Sequence, residues 1–276
     1  MLFSNVLKSS RSKNPSLNIG VTIFSGMLIL GVIGLVHPPQ NPFAMSINHR
    51  FEPPNFTHWM GTDQYGRDIF SRLLVSLASS FTIAFSSLVL GMLAGVTIGG
   101  LSGYIEGVFG ESLMRFVDAL YAFPHILLAL LVLTVLGPGE VSVSIALVIF
   151  NAPVFARITY GAVLEGKHSL YAQTAKCMGG GTFYILRRHV SLYVAPSLLV
   201  QATSSFSLAI LVEASLSYLG LGVQPPHPSL GGMLASAQNY LQQSYWTLIF
   251  PGLFLILVVL GSNLSGDGIE GRFGRW

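Results

Sequence analysis

The sequence predicts an all-α membrane protein with six transmembrane helices, and three observations predict it. Only 9% of the 276 residues are Asp, Glu, Lys or Arg, against roughly 25% in soluble globular domains. None of these charges falls between Arg72 and Glu106, Asp118 and Glu140, Arg188 and Glu213, or Glu213 and Asp267. Those windows are rich in Leu, Val, Ile and Phe, and each is long enough to supply the roughly 20 residues a helix needs to cross the hydrocarbon core. When the helices are laid alternately across a bilayer, the basic residues gather on one side.

The first span is predicted at Ile19–Val36, after Lys8, Arg11 and Lys13 and before the breaker His37-Pro38-Pro39. A basic start also marks a signal peptide, but no A-x-A-like site follows, so an uncleaved helix is expected. The remaining spans are predicted at Leu74–Gly103, Arg115–Leu136, Val141–Tyr160, Val194–Val212 and Trp246–Leu264. With the N-terminus inside, eleven Lys and Arg residues fall on the cytoplasmic side and only Arg50, Arg67 and Arg72 outside. The positive-inside rule then places both termini in the cytoplasm. The chain divides into residues 1–72, holding the N-terminal tail, first helix and an outer segment, and residues 73–276, a five-helix core with an inner loop at 161–192.

The second span carries Gly91, Gly95, Gly99 and Gly103, with Gly107 beyond, one glycine every fourth position. Such a row strips side chains from one helix face, and close helix packing rather than hydrophobicity drives association in lipid. A tightly apposed partner helix is expected there. The formal charge of +3 follows from the positive-inside bias and calls for no nucleic-acid partner.

Motifs for covalent chemistry are weak. Cys177 is the single cysteine, which excludes an internal disulfide or a cysteine metal cluster. Residues 161–168, Gly-Ala-Val-Leu-Glu-Gly-Lys-His, approach a phosphate-binding loop. They lack the hydroxyl after Lys and the preceding strand, so nucleotide binding is expected elsewhere. The seven histidines are scattered, with none at i, i+4. Neither a serine nucleophile motif nor paired membrane aspartates for proteolysis are present. Asp118, three residues after Arg115, reads as a helical ion pair.

Two places stand out. The outer segment Gly61-Thr62-Asp63-Gln64-Tyr65-Gly66-Arg67-Asp68 combines turn formers with charge, and Asp63, Arg67 and Asp68 are expected to form a local pairing and capping cluster before the second span. Glu213 is an acid at the end of an otherwise apolar span. Left unpaired in lipid it would cost several kcal/mol, so it is expected to contact a pathway, a partner helix or backbone.

These residues resemble the C-type permease subunits of the dipeptide, oligopeptide and nickel ABC importers of prokaryotes. The resemblance runs from His58 to Asp267 and rests on several motifs in order. They are Gly61–Asp68, Arg115-Phe-Val-Asp118 followed by Ala122-Phe-Pro124, the run from Glu213 to Pro226, and Asn263-Leu-Ser-Gly-Asp267. The family's inner loop carries an E-A-A pattern and a later glycine in a short coupling helix that docks on an ATPase. Here Tyr171, Gln173, Thr174, Ala175 and Gly179 stand in that register, with Gln173, Thr174 and Ala175 where the acid and two alanines are usual. Arg187 and Arg188 supply a basic flank, and the later I-L-P is replaced by Val190-Ser191-Leu192.

The resemblance implies the type I ABC importer permease fold, in a multi-pass protein of the prokaryotic inner membrane. It implies half of a heterodimeric channel completed by a B-type permease, two ABC ATPase subunits that bind ATP and magnesium, and an extracytoplasmic solute-binding protein. No enzyme activity and no cofactor are expected in this chain itself. Short peptides are the first expectation for the solute, with nickel or another metal chelate, an opine-like compound or a small glycoconjugate as alternatives. A secondary carrier is the competing class, but it would call for more mid-membrane charge and inverted repeats.

Overall fold

The computed structural model describes residues 15–105, 107–178 and 191–273. Among the described residues there are helices and loops but no strand; one isolated antiparallel bridge joins Thr62 and Asp68. The first helix, α1 (Pro15–Val36), is apolar on every side, as a helix between protein and lipid must be. It runs beside α9 and α2, burying Gly20, Met27, Gly31 and Gly34.

A long loop with one 3-10 turn at Ile47–His49 leads to α2 (Ile69–Tyr104). This helix starts at Asp68, whose carboxylate accepts from the Ser71 backbone N–H at 2.8 Å, satisfying one of the donors left over at a helix N-terminus. Its 36 residues rise to about 54 Å, well beyond a hydrocarbon core of about 30 Å. The helix therefore extends past the lipid or tilts within it.

The third predicted span, Arg115–Leu136, is corrected by the structure. It is two helices, α3 (Val108–Tyr121) and α4 (His125–Leu136), meeting at 94°. Pro124 lies at the corner. It lacks the N–H that would continue the ladder and disfavours α geometry at Phe123 before it. Hydropathy cannot report this, because both halves carry apolar residues.

The remaining helices among the described residues are α5 (Glu140–His168), α6 (Leu170–Cys177), α7 (Ser191–Tyr218), α8 (Leu230–Gln238) and α9 (Trp246–Phe273). Among the described residues five helices are long and apolar enough to cross a membrane, and the bent α3–α4 pair makes a sixth crossing if counted as one span. The shared core draws Leu73 and Leu77 from α2, Leu147 and Phe155 from α5, Ile210 and Leu216 from α7, and Val258 from α9. Outward faces show Val32, Phe85, Leu93, Leu199 and Ile256, a surface that would aggregate in water and is at home in lipid.

The pairing of α2 with α5 is the most extensive in the bundle. A Cβ placed on Gly91, Gly95, Gly99 or Gly103 would come within 3.0 Å of Asn151, Ala152, Ala156 and Val163 respectively. Gly95 and Gly99 meet the α5 backbone itself, and Gly91 and Gly103 meet the first side-chain carbons of Asn151 and Val163. Gly107 lies past the end of α2 and meets nothing within 4 Å, so the row of five glycines is a row of four.

Candidate functional site

Residues 61–68 fold into a clamp around Asp63. Its Oδ1 accepts from the backbone N–H groups of Tyr65 at 2.9 Å and Arg67 at 3.0 Å, and its Oδ2 accepts from Arg67 Nε at 2.7 Å. Gly61 and Gly66 take φ values of 75° and 71°, where a side chain would be strained. Thr62 Oγ1 donates to the His49 carbonyl at 2.5 Å and accepts from Glu52 N–H at 2.8 Å. Asp68 caps α2 with one oxygen, and its other oxygen lies 3.0 Å from His58 Nδ1. Trp246 Nε1, at the start of α9, donates to the Thr62 carbonyl at 3.4 Å. The clamp thus ties the preceding loop to the first turns of α2 and α9.

One member of this cluster carried no sequence signal of its own. Arg72 is 7% exposed, its Nη1 donates to the Pro42 carbonyl at 3.2 Å, and its Nε lies 3.6 Å from Asp63 Oδ2 without a hydrogen-bond partner. Its spacing of five residues from Arg67 was visible, but the Pro42 contact comes from a loop thirty positions earlier. Beside the clamp lies a cavity of about 530 Å³, lined among others by Arg67, Arg72, Gln224, His227, Ser229 and Ser236.

Glu213 is enclosed by its own chain. It is 0% exposed, with Ser80 of α2 donating to Oε2 and Ser217 of α7 donating to Oε1, each at 2.8 Å. Ser217 Oγ also accepts from Val223 N–H at 3.3 Å. The carboxylate joins α2, α7 and the loop after α7 and faces no open surface.

At the opposite end of the bundle, α5 ends and α6 begins. Residues 161–168 are the last turns of α5, so they form no loop that could cradle phosphate. Helix α6 contains Tyr171, Gln173, Thr174 and Ala175; Gly179, Arg187 and Arg188 lie outside the described residues. Leu170 and Met178 bracket this helix and are 80% and 84% exposed. Nearby, the ion pair expected between Asp118 and Arg115 is corrected. Arg157 of α5 reaches Asp118 at 2.5 Å, with its guanidinium over the Tyr121 ring, because the bend lays α3 against α5.

The described residues offer no cluster of three or more His, Cys, Asp or Glu able to hold a metal ion. The chain is thus a bundle of long apolar helices with one bent helix pair, a buried polar clamp at one end and a short helix at the other. The family model described as "Binding-protein-dependent transport system inner membrane component" matches residues 91–276. The chain is 38% identical over 256 residues to the glutathione transport system permease protein GsiD of Pectobacterium atrosepticum, covering 91% of this chain and 85% of that one. It is 37% identical over 253 residues to the di/tripeptide transport system permease protein DppC of Pseudomonas aeruginosa, covering 88% and 84%. In fold it matches the inward-facing MetNI methionine ABC transporter with a TM-score of 0.60 at 18% identity, over 73% of this chain and 96% of that one. This chain belongs to the binding-protein-dependent transport system inner membrane components, and its fold is that of a type I ABC importer permease.

Proposed function

We propose that this chain forms half of the translocation pathway of an ATP-driven importer of short peptides. The observation that carries the reading is the family match over residues 91–276, joined to relatives whose names specify glutathione and di- or tripeptides. A homologous B-type permease completes the channel, two ABC ATPase subunits bind ATP and magnesium, and a solute-binding protein delivers peptide from outside. The bias of Lys and Arg supports an orientation with the N-terminus, α6 and the C-terminus in the cytoplasm and the Asp63 clamp on the outer side.

Helix α6 then serves as the coupling element. Closure of the ATPases on ATP displaces α6, and α5, continuous with it but for Ser169, passes the displacement to α2 along the glycine contact. This is a two-state change biased by a remote ligand. Gly179, Arg187 and Arg188 extend the docking surface in this scheme. The test is isolation of the native complex together with an uptake assay. ATPase subunits should co-purify and peptide uptake should stop when hydrolysis is blocked; a complex lacking ATPases, or uptake that continues, overturns the reading.

A further inference from the structure

The cavity beside the clamp has a charge imbalance. Asp63 is the carboxylate paired with both Arg67, at 2.7 Å, and Arg72, at 3.6 Å. Two guanidinium groups therefore share one acid. Both arginines line the cavity of about 530 Å³, whereas Asp63 sits in a narrow adjoining recess, and no Asp or Glu lines the cavity itself. Arg72 is also buried with Nε lacking a hydrogen bond, although a guanidinium ordinarily uses its donors when withdrawn from water. The two arginines present positive charge to a space large enough for a small ligand.

From this geometry we infer that the cavity receives the C-terminal carboxylate of a short peptide on its way into the channel. A planar carboxylate is the acceptor that guanidinium groups bind best, through paired hydrogen bonds. Gln64, Gln224 and Ser236 also line the space and offer neutral donors and acceptors for peptide groups, while Val223 and Met233 tolerate varied side chains. The clamp fixes both arginines before the ligand arrives, so little ordering cost falls on binding. The inference rests on the peptide-importer reading and adds a reception site within the permease, separate from the binding protein.

The test uses the permease–ATPase complex in lipid nanodiscs without its binding protein, titrated with dialanine, N-acetyl-dialanine and dialanine amide. The two peptides with a free carboxylate should bind at least tenfold more tightly than the amide. Arg72→Gln should bring dialanine down to the level of the amide. Ser236→Phe, which fills the cavity and leaves both arginines in place, should abolish binding of all three. Equal binding of dialanine and its amide, or none by either, overturns the inference even if Arg72→Gln fails to fold. The same holds if Arg72→Gln weakens docking of the binding protein while the peptides show no carboxylate preference, since the cavity would then serve that protein. ATP-driven dialanine uptake by the complete system, measured in parallel, separates the two readings: uptake without carboxylate preference removes only this site, and absence of uptake removes the peptide-importer reading.

Discussion

Gly99 of α2 lies directly against the Ala156 backbone of α5, so close that no Cβ fits between them. Gly99→Ala should force the two helices apart and cost about 3 kcal/mol, the upper part of the usual range for overpacking. Gly161→Ala, at a position with nothing within 4 Å, should be neutral. Thermal unfolding of the two variants in detergent checks the contrast, and equal melting temperatures would remove the close contact as a source of stability.

The Glu213 bridge makes a second expectation. Glu213→Ala strands the Ser80 and Ser217 hydroxyls in a buried setting, and leaving polar groups unpaired there should cost about 2 kcal/mol. Glu213→Gln keeps an acceptor and supplies an amide donor to which the hydroxyls can turn, so it should retain most of the stability. If the Gln and Ala variants melt together, the hydrogen bonds contribute little.

Asp63 holds two buried arginines and two backbone N–H groups at once. Asp63→Ala leaves that positive charge uncompensated, a loss of about 3 kcal/mol, and should open residues 47–68 to protease. Asp63→Asn should be protected better, because its amide oxygen can still accept from the backbone. Identical cleavage of both variants would mean that the clamp is held by other contacts.

Arg157→Ala gives the opposite expectation for a charge pair. Arg157 and Asp118 are each about half exposed, and pairs screened in this way contribute under about 1 kcal/mol. The melting temperature should barely move, and a large drop would show that lipid or a partner desolvates the pair.

Met178→Asp and Leu170→Asp probe the far end. Both side chains are apolar and exposed beside α6, as expected of residues that become buried in a partner. Each variant should reduce ATPase co-purification at least tenfold while leaving the permease in the membrane. Unchanged recovery of ATPase would place docking elsewhere.

Much of the fold was legible because charge is costly in lipid: each long charge-free window holds most of at least one apolar helix. The clamp was legible for a related reason, since Asp63 and Arg67 are four residues apart and pair within one turn of chain. Direction was not legible. Hydropathy averages the residues on both sides of Pro124 and is blind to a right-angle corner. Partners distant in sequence were equally hidden: Ser80 meets Glu213 across 133 positions, and Arg72 owes its place to Pro42. For Glu213 the sequence left a pathway, a partner helix and backbone open as contacts, and the fold supplies hydroxyls from α2 and α7.

The corner at Pro124 has a mechanical consequence. A continuous helix is a rod that carries a push along its whole length, whereas α3 and α4 are joined only through residues 122–124. Helix α4 has 12 residues, a rise of about 18 Å, so it cannot bridge a core of about 30 Å by itself. Helix α3 packs on α5 through Met114 and Val117 against Ala156, so a push on it reaches α4 only by way of the corner. Movement at one face of the bundle can thus be turned through a right angle before it reaches the other.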